Sequence, residues 1–224
     1  MILAEASIAA GECPVLGTRA EVKTFALANL PQVPLRRMMM NLRKAVEEAL
    51  FLNELDGNPN AIYRFSDAGG KSGLSFGRCQ YDVENNATAV KCLQEGGFTA
   101  SEIAALKNKH ADLAVLNAKL KAAADVVDRY DAIQVSECLN HVITVAQARK
   151  ITYANDLAIV MAADYHNQFY MSTSGKMAMH LAGLGREVTA EDIYKFKLTI
   201  PWGQKRPDDV TRRYKNVLKV CNQP

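Results

Sequence analysis

The 224-residue chain has one tryptophan, five cysteines and no long uninterrupted apolar run. The cysteines are odd in number, far apart and without a Cys-x-x-Cys pair: Cys13, Cys79, Cys92, Cys138 and Cys221. This spacing argues against zinc modules and a dense disulfide framework, and favours free thiols in a reducing compartment. No segment approaches the roughly 20 apolar residues that a transmembrane helix needs, so we expect no stable membrane insertion.

The N-terminus lacks the positive charge that opens a secretory signal peptide. No Lys or Arg precedes Arg19, and Glu5 and Glu12 interrupt the weakly apolar segment. We therefore expect synthesis in the cytoplasm without a signal peptide. The net charge of +3 does not demand nucleic acid. It suits a protein that approaches an anionic polymer, although a charge this small can also carry no meaning.

The composition is that of a globular protein, because 49% of the residues are hydrophobic and 23% are charged. We expect one mainly helical domain over residues 1–224 with a small β-hairpin. Residues 1–33 have scattered Gly and Pro and no clear periodicity, which predicts a loosely organised N-terminal segment.

Apolar residues at helical spacing predict the helices. A long helix with Pro34 in its first turn is expected to stop near residue 56, and Thr99 with Glu102 forms a capping box for another. Asn155 should cap a buried central helix. The remaining predicted helices cover residues 84–95, 111–128, 132–150, 173–184 (closed by Gly185), 191–198 (capped by Thr189) and 209–220. Residues 61–65 and 71–82 are expected to be the hairpin strands, and 200–209 an irregular link.

The most informative segment runs from Glu54 to Asn86, where a helix end, a glycine-rich hairpin and Asp82 follow one another. A carboxyl group on a helix end that faces a second carboxyl group on a hairpin is the arrangement that a glycosidase needs. One acid protonates the leaving sugar oxygen, and the other activates water or stabilises the oxocarbenium ion. Glu54 and Asp82 are therefore the candidate catalytic residues.

Two other glutamates on the same helix compete with Glu54. Glu47 and Glu48 follow Arg43 and Lys44, at a spacing that favours surface ion pairs. Glu54 instead follows Phe51 and Leu52, and a carboxyl group against apolar walls has a raised pKa that suits a general acid.

The identity of the second acid stays open. Asp82 could also be the N-cap of the following helix, and the two roles are compatible. Asp67, in the turn Ser-Asp-Ala-Gly-Gly, is the rival second acid, although aspartate is common in turns.

Gly77, Arg78, Cys79 and Gln80 end the hairpin as a Gly-x-x-Gln motif, with Asp82 two residues further. This hairpin resembles that of the goose-type lysozymes and soluble lytic transglycosylases. The segments 54–86, 163–169 and 200–209 resemble phage-type endolysins. The resemblance implies a lysozyme-like fold and a bacteriolytic, antimicrobial cell-wall hydrolase that acts on peptidoglycan in the periplasm after release or export.

Small polar groups on the glycine-rich strand are candidates for binding a polysaccharide. Ser72, Ser75 and Gln80 can bond sugar hydroxyl and N-acetyl groups, and the resemblance adds Tyr165, Asn167 and Gln168 as sugar contacts. The four histidines are scattered, so we expect no metal site and no cofactor.

The leading hypothesis is a monomeric glycosidase that cleaves the bond between N-acetylmuramic acid and N-acetylglucosamine, with Glu54 as general acid. A lytic transglycosylase and a chitosanase-like glycosidase remain alternatives of the same class. A non-catalytic module that binds the cell wall or a partner is the alternative of another class. A third reading, a helical nucleic-acid binder, would use a basic tail that consists of Lys205, Arg206, Arg212, Arg213 and Lys215. This tail fits better an approach to anionic peptidoglycan or lipopolysaccharide, or a solvated helix face, so we expect no nucleic-acid partner.

Overall fold

A computed structural model describes residues 32–67, 69 and 72–221, with the backbone alone for residues 32–39. The described residues form ten α-helices and one small antiparallel sheet. The expectation for residues 1–33 therefore lies outside the described part, except that Gln32 and Val33 already belong to the first helix.

The helices follow the predicted order with a few changes of boundary. They are α1 (Gln32–Leu55), α2 (Ala87–Glu95), α3 (Ala100–Lys107), α4 (Leu113–Ala122), α5 (Ala124–Arg149), α6 (Asp156–Phe169), α7 (Lys176–Ala182), α8 (Ala190–Thr199), α9 (Pro201–Lys205) and α10 (Pro207–Cys221). The prediction of a mainly helical chain is confirmed for these residues. No helix among them is long and apolar enough to cross a membrane.

The predicted N-caps are confirmed, but α7 has Gly183 at its C-cap and is not closed by Gly185 as expected. Thr99 and Glu102 form the expected reciprocal capping box, and Thr189 forms a second one with Asp192. The Asn155 side chain accepts a hydrogen bond from the N–H of Ala158 at the start of α6. These local signals succeed because a cap needs only residues within one helical turn.

Three local predictions were wrong. Residues 61–65 form no strand: Asn58 and Pro59 start a 3-10 turn (Pro59–Ala61) that continues as helical turns, with Ile62 and Phe65 buried three positions apart. The stretches 111–128 and 132–150 divide instead at Ala123, and the second belongs to the 26-residue α5. The supposed link at 200–209 contains α9 and the start of α10, because each proline occupies a first helical turn.

The sheet has three short strands in the order β1 (Ser66–Asp67), β2 (Leu74–Phe76) and β3 (Tyr81–Asp82). Ser75 of β2 stands between its Cα partners Ser66 and Asp82 on the two flanking strands. Residues 61–65 were expected to pair with 71–82, but the observed hairpin joins β2 and β3, which both lie inside 71–82, and β1 pairs with β2 as a third strand.

The core is organised around α6, which packs against α1, α5, α8 and α10. Its middle is a buried run of Val160, Met161, Ala162 and Ala163, and the alanines let the neighbouring helices approach closely. The expectation of a buried central helix is confirmed. A second apolar region lies under the sheet, where the Phe65 ring meets those of Phe76 and Phe98 edge to face.

Gly203 in α9 controls how the chain passes from α8 into α10. A Cβ atom at this position would overlap the backbone oxygen of Lys197 and lie 2.8 Å from its carbonyl carbon. Only the absence of a side chain lets α9 pack this tightly against the end of α8, so α10 and its side chains depend on this glycine.

We predict that Gly203→Ala lowers the free energy of unfolding by about 3 kcal/mol, because backbone atoms must move to admit the methyl group. Denaturant titration followed by circular dichroism measures the change. Gly183→Ala is the matched control, since its added Cβ would make only ordinary 3.4 Å contacts. Equal stability of the two variants would contradict the tight packing.

Candidate functional site

Glu54 is the penultimate residue of α1, where the chain turns sharply. Asp56 and Gly57 both have positive φ angles, of 50° and 71°, and the N–H of Gly57 bonds the oxygen of Phe51. Glycine adopts this conformation without strain, which ends the helix directly after Glu54. The Glu54 side chain is consequently held at a helix end and is 19% exposed.

One oxygen of the Glu54 carboxyl group makes all of its described contacts. Its Oε1 accepts a hydrogen bond from Nη2 of Arg213 at 2.7 Å and a long one from Nδ2 of Asn167 at 3.4 Å. No described residue donates a hydrogen bond to Oε2. The apolar walls that the sequence analysis expected around this carboxyl group are therefore replaced, on the Oε1 side, by a guanidinium and an amide.

Asn167 connects Glu54 to the hairpin. Its Nδ2 also lies 3.4 Å from the backbone oxygen of Cys79, which belongs to the turn between β2 and β3. The predicted proximity of the helix-terminal glutamate to the hairpin is thus present in the structure, and one amide group contacts both.

A buried ionic cluster lies behind Glu54. The carboxylate of Asp164 accepts hydrogen bonds from Lys197 at 3.0 Å, from Asn53 at 2.9 Å, and from Nε and Nη2 of Arg213 at 3.2 and 2.6 Å. Asp164, Lys197 and Arg213 are at most 2% exposed. The Arg213 guanidinium therefore spans Asp164 in the core and Glu54 at the surface.

The neighbours of Asp164 decide its charge. Burial alone would raise the pKa of this carboxyl group, but Arg213 and Lys197 outweigh that effect and hold the pKa well below its usual range. Burial lowers the pKa of Lys197, against the opposing pull of Asp164. Glu54, Asp164, Lys197 and Arg213 thus form one cluster, in which the two cations compensate Asp164 and Arg213 also donates a hydrogen bond to Glu54.

A second buried carboxylate fixes the turn of the hairpin. Asp131 of α5 accepts hydrogen bonds from the N–H groups of Arg78 and Cys79, at 2.8 and 3.3 Å. Burial raises its pKa to about 6, although these N–H groups and the charge of Arg78 oppose the shift. Gly77 has a φ angle of 76°, and a Cβ there would lie 2.9 Å from Asp131, so the turn requires glycine at this position.

Asp82 is not the N-cap of the following helix, which was one of its two expected roles, but it does hold the end of the sheet. Its Oδ1 accepts hydrogen bonds from the N–H groups of Gly73, Glu84 and Asn85, and its Oδ2 accepts one from the Asn85 side chain. Burial would raise the pKa of Asp82, but these hydrogen bonds lower it. Both oxygens are therefore occupied in holding the end of the sheet. The N-cap of α2 is Asn86.

Asp67, the rival second acid, is a turn residue at the surface. It accepts a hydrogen bond from the N–H of Gly69 and forms an ion pair with Lys109, at 2.7 and 2.6 Å. The Lys109 and Gly69 hydrogen bonds lower its pKa. These contacts favour the turn role. The competing glutamates differ from Glu54, since Glu47 lies 3.8 Å from Arg78 and Glu48 is exposed.

The residues of the glycine-rich strand that were expected to contact sugar are partly buried or already hydrogen-bonded within the protein. The Gln80 side chain accepts from Ser66 at 2.8 Å and donates to the oxygen of Gly77 at 3.0 Å, and its φ angle is 51°. Ser75 is 3% exposed, and Ser72 is half-buried. Gln80 therefore shapes the turn.

The three candidates on α6 have different surroundings. The Tyr165 ring is 8% exposed and packs against Phe169 and Phe196, which is a core position. Asn167 is the residue that contacts Glu54 and the hairpin. Gln168 has a buried Oε1 without a hydrogen-bond partner among the described residues.

His166 belongs to an aromatic stack next to Asn167. Its ring lies 4.2 Å from that of His141, and Tyr170 lies 5.1 Å from both. Burial and, secondarily, His141 lower the pKa of His166 to about 4. Within the described part of the chain, no three His, Cys, Asp or Glu side chains are grouped to hold a metal ion. The four cysteines described there are free thiols.

The sequence analysis missed the ionic cluster that holds Glu54. It assigned Arg212 and Arg213 to a basic tail, but Arg212 pairs with Asp56 and Asp209 and Arg213 is buried. The available signal was Asp164, a lone charge in an otherwise apolar helical run. A charge in such a position requires a buried partner.

Protein-family models, curated proteins and solved structures were all compared with this chain, and none of them matches it.

We predict that Asp164→Asn lowers the free energy of unfolding by about 3–5 kcal/mol, because it leaves two buried cations without their carboxylate. Chemical denaturation at neutral pH measures this loss. Glu191→Gln is the control, since it breaks only an exposed ion pair with Lys195 and should cost less than about 1 kcal/mol. A loss for Asp164→Asn no larger than that of the control would contradict a structural role for the cluster.

Proposed function

We propose that the protein is a glycosidase that cleaves the N-acetylmuramic acid–N-acetylglucosamine bond of peptidoglycan, with Glu54 as its general acid. The observation that carries this proposal is the carboxyl group of Glu54. It is partly exposed at a helix end, it is joined to the hairpin through Asn167, and its Oε2 accepts no hydrogen bond from a described residue. A general acid needs one oxygen free to reach the leaving group.

The other carboxylates near the hairpin support this choice by contrast. Asp82 and Asp131 use both oxygens to bind backbone N–H groups or Asn85, and Asp164 is fully surrounded by its partners. Among these four carboxyl groups, only Glu54 has an oxygen that accepts no hydrogen bond from a described residue.

In the proposed reaction, Arg213 and Asn167 hold Oε1 and fix the plane of the Glu54 carboxyl group. Oε2 then donates its proton to the glycosidic oxygen as the bond to the sugar carbon breaks. Positioning of this kind matters because proton transfer requires a heavy-atom separation of about 2.6–3.2 Å. Arg213 is a positioning residue in this scheme.

Asp82 has a supporting role in the proposal. Its hydrogen bonds keep the strand β3 and the residues after it in place, so the carboxylate is poorly suited to forming a covalent sugar ester. We propose that its Oδ2, which accepts one hydrogen bond from Asn85, orders water on the opposite side of the sugar and takes the proton that this water loses as it adds to the sugar carbon, which corresponds to an inverting glycosidase.

The alternative of a different class is a non-catalytic module that binds the cell wall. The nucleic-acid alternative is weaker, because two residues of the basic tail are not available to bind phosphate groups. Arg213 is buried, and Arg212 is paired with acidic side chains. Digestion of purified cell walls in a zymogram separates the enzyme from the binding module, since only an enzyme releases soluble fragments.

We predict that Glu54→Gln lowers the rate of wall digestion by about 10²- to 10⁴-fold, because glutamine has the shape of glutamate but no proton to give. The release of reducing sugar from purified walls measures the rate. Glu48→Gln, an exposed glutamate of the same helix, should keep wild-type activity. Circular dichroism must show that both variants are folded, and a fully active folded Glu54→Gln protein would reject the assignment.

A further prediction concerns the product. Inversion requires the two carboxyl groups to be about 6.5–9.5 Å apart, and Asp82→Asn should then reduce activity less than Glu54→Gln does, because water can still be partly positioned. NMR spectroscopy of the first product identifies its anomeric configuration. A retained anomer rejects the inverting mechanism, and a 1,6-anhydro sugar identifies a lytic transglycosylase instead.

A further inference from the structure

Two neighbouring cavities lie along the segment 59–64, which overlaps the strand expected at residues 61–65. The smaller one, of 220 Å³, begins at Leu55, the residue after Glu54, and reaches Ser66 of β1. The larger one, of 610 Å³, lies between this segment and α4. Asn60 and Arg64 line both cavities, so the two are adjacent along this segment.

The larger cavity has a positive lining. Arg64 and Lys121 stand on its two sides, and neither forms an ion pair with any described residue. By comparison, Lys109 and Lys119 on the same side of the molecule are already paired, with Asp67 and Glu102. Two exposed cations without a carboxylate partner in one concave site favour an anionic ligand.

Asp128, which contacts the lining residue Tyr63, is already paired. Asp128 accepts hydrogen bonds from the Tyr63 hydroxyl at 2.8 and 2.9 Å and pairs with Arg78 at 3.1 Å. Among the described residues, no acidic side chain lines either cavity. Amide groups of Asn60 and Asn117 add hydrogen-bonding capacity beside the cations.

The walls of the larger cavity are fixed by contacts within the protein. The N–H of Phe65 donates to Oδ1 of Asn117 at 2.8 Å, which ties the segment 59–64 to α4. The Tyr63–Asp128 hydrogen bonds tie the same segment to α5. The concave shape is therefore present before any ligand binds, which lowers the entropic cost of binding.

We propose that this groove binds the carboxylate-bearing peptide that is attached to the muramyl sugar, with Arg64 and Lys121 as its charged contacts. The proposal rests on the proposed function and deepens it, because it makes the protein selective for peptide-substituted glycan over uncharged N-acetylglucosamine polymers. Substrate carboxylates pair with the two cations, and the asparagine side chains bond the peptide backbone.

The test measures binding in the Glu54→Gln background, so that no substrate is consumed. The probe is a disaccharide of N-acetylglucosamine and N-acetylmuramic acid with a tetrapeptide attached, titrated by calorimetry at low salt. The double variant Arg64→Gln/Lys121→Gln should raise its Kd about tenfold, and each single variant should raise it about threefold. Raising the salt concentration to 1 M, where the Debye length is about 3 Å, should remove most of this difference.

Two controls make the result specific. Lys91→Gln removes one exposed lysine of α2 and should leave the Kd unchanged. The tetramer of N-acetylglucosamine should bind the double variant and its parent equally. An unchanged muropeptide Kd in the double variant overturns the proposal, and so does an equal loss of binding to the uncharged tetramer.

A single-stranded oligonucleotide tests whether the groove binds phosphate groups instead of the carboxylates of the peptide. If it binds the parent more tightly than the muropeptide does and loses that affinity in the double variant, the groove is a phosphate site and the proposal is overturned. If the wild-type protein digests no cell wall but its muropeptide binding still depends on Arg64 and Lys121, the glycosidase proposal fails while this groove assignment stands.

Discussion

The buried carboxylate of Asp164 is the constraint on which the candidate site depends. A lone charge in the middle of the core helix must be compensated, and its two cationic partners come from α8 and α10. The same guanidinium that neutralises Asp164 extends to Glu54 at the end of α1. Four helices are thereby held together by one ionic cluster, and the surface glutamate obtains its orientation from the core.

The small sheet is likewise held in place by carboxylate side chains. Asp131 on α5 binds the N–H groups of the turn between β2 and β3, and Asp82 binds those around the end of the sheet. Short strands have few ladder hydrogen bonds, so side-chain carboxylates supply the missing acceptors. Asn167 then joins this turn to Glu54, and the helix end and the hairpin form one polar surface.

These contacts give the carboxyl groups different roles. Asp82, Asp131 and Asp164 are occupied with structural hydrogen bonds, whereas Glu54 keeps one oxygen without a described donor. The groove along residues 59–64 adds Arg64 and Lys121, two cations that form no ion pair with a described residue. A general acid held through one oxygen, together with a positively charged groove, suits a glycan that carries negatively charged substituents. The proposed reaction and the proposed substrate are therefore consistent with each other.

The sequence by itself determined the features that depend on near neighbours. The capping boxes at Thr99 and Thr189, the Asn155 cap, the apolar face of α1 and the glycine-rich hairpin follow from residues within a few positions of one another. It did not determine the 3-10 turn at Pro59, because the alternation in Ile-Tyr-Arg-Phe also fits a strand and the Asn58 cap decided the matter.

Only the tertiary structure decided which charges meet. Arg213 and Asp164 are 49 positions apart, and Arg213 and Glu54 are 159 apart, so no local pattern pairs them. The sequence marked Arg213 as part of a basic surface, and folding buried it. Burial of a charge is favourable only when opposite charges converge on it from several elements, and that convergence is a property of the packed helices.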